Sequence, residues 1–365
     1  MSDPALVGWQ DRRTMRPGAF GRQRRACPSW NRSRIHLSST FREGSESLVL
    51  NAKPIPLTLT LSHGEREQPA AGSVVREVHR MLRYSIIVPV RDEQAHIGRM
   101  LDCVLSQRLQ PKSVHVVDDG SSDQTPTILE AYRAKSPLIQ VTTLERNGTR
   151  REGGESAIQV AFSKVDWNRT DILARMDADV SFEQDFFAAL MDQFQTDPVL
   201  GIASGLIHEE EGGKWTARRV PAYHTRGASK LYRRECYDRI KPIGTCLGWD
   251  GQDEARANCY GWKTRSYDNA VIYHHRPVGT HVGRARLFRN LGLSAYYIGY
   301  HPIFVFARAV AAVPKRSFVL GGILLVTGMV EGYLRNLPRE DRREVIAFVR
   351  RQQLNRLLGR TTMWK

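Results

Sequence analysis

From Tyr84 onward the chain alternates short β-branched runs with segments whose apolar residues recur on one helical face, and each of three such runs ends in a cluster of carboxylates. The first run, Tyr84–Val90, passes through Pro89 into Val-Arg-Asp-Glu93. Its continuous apolar character predicts a buried strand. Residues 93–107 follow as a helix, with Ile97, Met100, Leu101, Val104 and Leu105 on one face. Residues 113–117 form a second strand entering Asp118-Asp-Gly-Ser-Ser122. Residues 123–134 form a helix with Asp123 as N-cap and Pro126 in its first turn. Strands at 139–144, 172–176 and 200–207 then alternate with helices at 153–165 and 182–194. Strand–helix alternation requires crossover connections and predicts an α/β fold, a Rossmann-like, mostly parallel sheet with helices on both faces. In such sheets ligands bind at the carboxyl ends of the strands. Those ends are the turns after Val90, Val117 and Met176.

The residues in these turns argue for chemistry. A dinucleotide-binding fold places Gly-x-Gly-x-x-Gly after its first strand, and the sequence contains none. Carboxylates in that position suit other chemistry, namely hydrogen bonds to a base and ribose, and oxygen ligands for a hard divalent cation such as Mg²⁺ or Mn²⁺. One acidic turn is often only a strand terminator or a helix cap. Three in register at the same edge make that explanation weak.

Pro89-Val-Arg-Asp-Glu93, Val117-Asp-Asp-Gly-Ser and Met176-Asp-Ala-Asp179, in this order and spacing, resemble the family-two glycosyltransferases of GT-A fold. The likeness extends to about residue 279. It implies an inverting, metal-dependent transfer of sugar from a nucleotide-diphosphate sugar, expected to be UDP-linked, to a hydroxyl acceptor such as a glycan or lipid-linked glycan. It also implies roles: Asp119 on a uracil-type base with Asp118 beside it, Pro89 and either Asp92 or Glu93 along the nucleoside, and Asp177 and Asp179 as the Asp-x-Asp element. Asp179 is the expected direct metal ligand.

Gly248-Trp-Asp-Gly-Gln-Asp-Glu254 resembles the family's acceptor loop, with Gln252 in place of the usual Glu. Counted forward from Gly248-Trp249 the catalytic base is Asp253. Counted back from Gly261-Trp262 across the following helix it is Asp250. The forward count is preferred here; whichever Asp is not the base is a helix-capping residue. Tyr273-His-His-Arg276 ends an apolar strand, where the family places a further metal or diphosphate contact. Either His274 or His275 fills that role, with His275 taken as the ligand. Arg146, Arg150 and Arg151 flank a Gly-rich turn that could meet diphosphate charge.

Outside this central region the composition changes twice. Residues 1–79 are rich in Arg, Ser, Pro and Gly without sustained periodicity, which predicts disorder. The run 56–67 looks like translated repeat DNA, so the expected true start is near Met81; no secretory leader is expected either. The catalytic domain is expected over 80–280 and a helical region over 281–365. In the latter, residues 317–330 carry no charge across fourteen positions. That is short of the roughly twenty needed to span a bilayer. Flanking Lys315, Arg316, Arg335 and Arg339 suit an anionic interface, so the expected location is the cytoplasmic face of a bacterial inner membrane. Gln353-Leu-Asn-Arg356-Leu lacks the Trp of the Gln-x-x-Arg-Trp element of processive synthases and is helix composition. The net charge of +16 comes with no helix-turn-helix, zinc-finger or RNP pattern, so no nucleic-acid partner is expected. Five scattered cysteines without Cys-x-x-Cys spacing fit free thiols in a reducing cytoplasm better than a disulfide framework or a zinc site. Competing readings are a nucleotidyltransferase, disfavoured by acidic Asp92-Glu93 where a triphosphate would sit, and a non-catalytic basic protein of the membrane surface.

Overall fold

The computed structural model describes residues 81–146, 155–244, 247–276, 283–311 and 319–363. The expectations for 1–79, for Met81 as the start, and for Arg150 and Arg151 rest wholly or partly on residues outside this set.

The first half follows the alternation. Strands β1 (Tyr84–Val90), β2 (Val114–Asp118), β3 (Ile139–Thr143) and β4 (Ile172–Met176) alternate with helices α1 (Ile97–Leu105), α2 (Thr125–Lys135) and α3 (Glu155–Ser163). They pair in parallel in the order β3-β2-β1-β4. Period-two alternation sends successive side chains to opposite faces. Ile86, Val88, Val114 and Val116 pack with Ile97, Met100 and Leu101 of α1 on one face. Ile87, Val117 and Leu173 pack with Ala157, Ile158 and Ala161 of α3 on the other. The sheet is therefore covered on both sides, as expected. Asp123 does not occupy the N-cap itself, which is Gln124, but its carboxylate accepts the Thr125 and Gln94 N–H groups.

The second half corrects the expectation of a mostly parallel sheet. After β5 (Val180–Phe182), α4 (Phe186–Thr196), β6 (Leu200–Glu211) and β7 (Lys214–Ala217), strand β8 (Ser229–Arg233) inserts between β4 and β6, antiparallel to both. Helices α5 (Arg234–Ile240) and α6 (Trp249–Cys259) then lead to β9 (Lys263–His274), which runs parallel to β6 and antiparallel to β5. The order is β3-β2-β1-β4-β8-β6-β9-β5, with β7 paired to β6: a mixed sheet. The physical reason lies in the connections. The β6–β7 hairpin turns at Gly212 and Gly213, both at positive φ, and a short return to β8 leaves no crossover helix to restore parallel direction.

Helices α7 (Gly283–Ile298), α8 (Pro302–Ala311), α9 (Val319–Leu334) and α10 (Arg343–Leu357) complete the described chain. Helices α7 and α9 cross at backbone contact: a Cβ at Gly292 would lie 2.0 Å from the Leu325 carbonyl oxygen, and one at Gly328 2.0 Å from that of Arg289. Small residues at a crossing let backbones approach this closely. Helix α10 packs on α6 through Ala255, Val345 and Val349, and the Arg256–Glu340 ion pair, 2.7 Å and buried, joins the same two regions. No described helix is long and apolar enough to cross a membrane.

Candidate active site

The carboxyl ends of β1, β2 and β4 open onto a cavity of about 610 Å³. Its wall includes Pro89, Arg91, Glu93, Asp119, Asp177, Asp179, His274 and Arg276, and, from the other side, His224, Arg226, Trp249 and Asp250. Three acidic turns thus converge on one space.

The turn after β4 carries Asp177 and Asp179. Strand β5 begins immediately beyond it and pairs with β9 so that Val180 faces His274. That register brings His274 Nε2 to 3.4 Å from Asp179 Oδ1. One ligand atom from each of Asp177, Asp179 and His274 lies within 4.8 Å of the others, the one such group among the described residues. His274 Nδ1 is also buried without a hydrogen-bond partner. Nδ1 instead lies 3.9 Å from Glu209 Oε1. Two carboxylates and an imidazole nitrogen this close together fit a divalent cation of the Mn²⁺ or Mg²⁺ kind. Burial pushes the Asp177 carboxyl up, with Arg175 opposing it. Asp179 is held below the usual carboxylate range, because hydrogen bonding and charge from His274 together with Arg276 outweigh its burial. The expectation for His275 is corrected here. As its strand neighbour, His275 faces the opposite way, with Ser181 Oγ at 2.7 Å and Arg99 at 3.0 Å from its ring nitrogens.

Arginines balance this acid. Arg276 reaches Glu93 at 2.5 Å, Arg91 meets Asp119 at 3.3 Å, and Arg175 lies 3.2 Å from Asp177 while its guanidinium covers the Trp249 ring at 4.2 Å. Asp92 and Asp118, expected along the nucleoside, do not line the cavity. Asp92, at φ 52°, accepts the Ser122 N–H at 2.7 Å, and Asp118 is fully buried and accepts from Ser121. Both hold the β1 and β2 turns in shape. Arg146 meets Asp92 at 3.6 Å and donates to the Gly120 carbonyl.

The segment from Gly248 to Glu254 places the two candidate bases in different surroundings. Gly248, at φ 83°, starts α6, and a Cβ there would lie 2.6 Å from Ser294 Cβ, so a side chain at 248 would collide with α7. The first helical turn then presents Trp249 and Asp250 to the cavity. Asp250 has no side-chain hydrogen-bond donor among the described residues. Asp253, one turn on, faces the sheet. It is 1 % exposed, accepts from Lys230 Nζ at 2.6 Å and Tyr232 Oη at 2.5 Å, and takes the Glu254 N–H as well. Three of the roughly four acceptor positions of the carboxylate are thus taken, and Asp253 does not line the cavity. Burial pushes the Asp253 carboxyl up to about 6, with Lys230 opposing. Arg91, Arg175, His224 and Arg226 enter the wall without having been singled out as site residues. His224 carried no signal in sequence; it is held by Glu254, with Nδ1 3.0 Å from Oε2.

Residues 85–248 match the family model described as Glycosyl transferase family 2. The chain carries a glycosyl transferase family 2 domain. The match ends at Gly248, before either candidate base. Over 121 residues, 33% of this chain and 30% of the relative, the sequence is 31% identical to the 4,4'-diaponeurosporenoate glycosyltransferase of Staphylococcus aureus strain MRSA252. The aligned stretch thus spans under a third of that relative's length. Among solved structures, the mannosyltransferase PcManGT of Pyrobaculum calidifontis, in complex with GDP-Man and Mn²⁺, is 19% identical with a TM-score of 0.48, covering 69% of this chain and 75% of that one. S. aureus TarS 1–349 in complex with UDP is 20% identical with a TM-score of 0.45, covering 59% and 64%.

Replacing Asp253 leaves Lys230 buried with Glu254, 3.6 Å away, as its remaining ion-pair partner. Asp253→Asn is expected to lower unfolding free energy by about 3 kcal/mol. Asp250→Asn, at an open helix N-terminus, should cost no more than about 1 kcal/mol. Urea midpoints in the reverse order would remove Asp253 from its structural role.

Proposed function

We propose that the chain is an inverting glycosyltransferase that moves a sugar from a UDP-linked donor to a hydroxyl acceptor. The observation that carries this reading is the convergence on one cavity of Asp119, Asp177 and Asp179, within the family-two match, with Asp250 and His274, which lie beyond it. Asp119 and Pro89 would receive base and ribose. Asp177, Asp179 and His274 would hold a divalent cation, which when bound supplies positive charge opposite the diphosphate. Arg175 and Arg276 line the same wall and would take up phosphate charge as nucleoside diphosphate departs.

Asp250 is the base in this scheme. The acceptor oxygen bonds to the anomeric carbon, the bond from that carbon to the diphosphate oxygen breaks, and its electron pair leaves with the nucleoside diphosphate. The hydroxyl proton passes to the Asp250 carboxylate. A single displacement inverts the anomeric centre. The Trp249 ring beside Asp250 is an apolar surface against which a sugar face can rest. The products would serve cell-surface polysaccharide or glycoconjugate assembly.

The same reading places the protein on the cytoplasmic face of a bacterial inner membrane. Ile303, Phe306 and Val310 of α8 and Leu320, Ile323 and Val330 of α9 are large apolar side chains turned to the outside. Shallow burial of such faces is worth about 25 cal/mol per Å².

Two outcomes test the proposal. Asp250→Asn should lower sugar transfer by roughly two to four orders of magnitude with UDP affinity and melting temperature nearly unchanged; full activity in this variant would exclude Asp250 as base. Full-length protein should float with phosphatidylglycerol vesicles in high salt, and Phe306→Glu with Ile323→Glu should stay at the bottom of the gradient. Failure of the unsubstituted protein to float would contradict the membrane location.

A further inference from the structure

A second cavity, of about 620 Å³, lies on the far side of α6 from the sheet, between α6, α8 and α10. Its wall is mixed: Ile298, Phe304 and Val349 are apolar, Glu254, Asn258 and Tyr300 are polar, with Glu254 paired to Lys230 and His224, and Gln353 also lines it. Gln353 is 1 % exposed; its Oε1 accepts the His301 N–H at 2.8 Å, and its Nε2 has no hydrogen-bond partner. A buried amide donor without an acceptor costs about 1–3 kcal/mol, so its presence at a cavity wall points to a ligand oxygen. At the outer end stand Arg308 and Arg356, both exposed and neither ion-paired to a carboxylate among the described residues.

This cavity adjoins the donor cavity. His224 lines both, and the wall of the second includes Gly251, the residue after Asp250. From Gly251 to Asn258 the cavity follows α6 for about 10 Å, at 1.5 Å per residue. Resting on the transferase reading above, we infer that the acceptor is an anionic amphiphile occupying this second cavity. Its hydroxyl reaches past His224 to Asp250, its apolar body lies between α8 and α10, and its acid group pairs with Arg308 and Arg356. Guanidinium groups suit this role because they meet carboxylate or phosphate oxygens in pairs. The Gln353 amide then finds an acceptor along the ligand. The outward apolar side chains of α8 sit on the helix that forms one wall, so an amphiphile could enter from a lipid surface.

The probe is 12-hydroxydodecanoate, with 1,12-dodecanediol as its uncharged counterpart, titrated into full-length protein. The acid should bind at least tenfold more tightly than the diol. Arg308→Gln and Arg356→Gln should each weaken it roughly tenfold, the loss of one charge-assisted contact. Arg308→Lys, which keeps the charge, should retain most of the affinity and so separates charge from folding. Ala307→Trp, which fills the cavity, should abolish binding. Equal binding of acid and diol, or unchanged binding in Ala307→Trp, would overturn the inference. So would full displacement by inorganic phosphate alone, which would make the arginines a free-anion site. UDP binding by the unsubstituted protein is the separate control. If UDP binds and the acid does not, this inference alone falls; if UDP does not bind, the transferase reading falls with it.

Discussion

Lys230 is fully buried in the middle of a strand, and its ammonium is the point on which the second half of the protein is hung. It stands 2.6 Å from Asp253 and 3.6 Å from Glu254, and it also donates to the Asp250 carbonyl. Burial favours the neutral amine, yet the surrounding carboxylates hold the Lys230 pKa above its ordinary value. A buried charge this enclosed is tolerated only with partners in place. Those partners all belong to the first two turns of α6. The ion pair therefore locks α6 onto β8 at a fixed rotation. One consequence is that Asp250 and Trp249 face the cavity. Another is that Glu254 holds His224 and Thr225, which shape the wall shared by the two cavities.

On the opposite wall the constraint is electrostatic. Glu93, Asp119, Asp177 and Asp179 would repel one another in an apolar enclosure, and each is met by a guanidinium or by His274. Charge balance inside the protein keeps the acidic turns folded. It also leaves arginines where phosphate oxygens would arrive, so donor binding would exchange one set of counter-charges for another. Preorganised charge of this kind costs no rearrangement at the moment of reaction.

Much of this was legible in the sequence, and the exceptions have physical causes. Strands β1, β2 and β4 announce themselves because both faces are buried, and their apolar runs have no other use. Strand β8, Ser-Lys-Leu-Tyr-Arg, is no less central, but its buried Lys230 and Tyr232 are polar and find their partners on α6, in Asp253, Glu254 and the Asp250 carbonyl, distant in sequence. No local pattern reports such a strand, and missing it made the sheet look mostly parallel. The choice between His274 and His275 depends on a strand's twofold alternation, which is unreadable until β5 and β9 are known to pair. The choice between Asp250 and Asp253 turns on helical geometry. A three-residue step moves a side chain about 4.5 Å along the axis and about 60° around it, enough here to carry it from the cavity to the sheet. The clustering of carboxylates at strand ends needed no such knowledge, because topology alone brings those ends together.

Asp177, Asp179 and His274 are proposed to form one divalent-cation site beside a nucleotide pocket. Anomalous diffraction at the manganese edge, from crystals grown with UDP and Mn²⁺, tests it directly. The expected result is a peak coordinated by these side chains and by diphosphate oxygens, with the uracil against Asp119. A peak elsewhere, or UDP seated with its diphosphate away from Asp179, would contradict it.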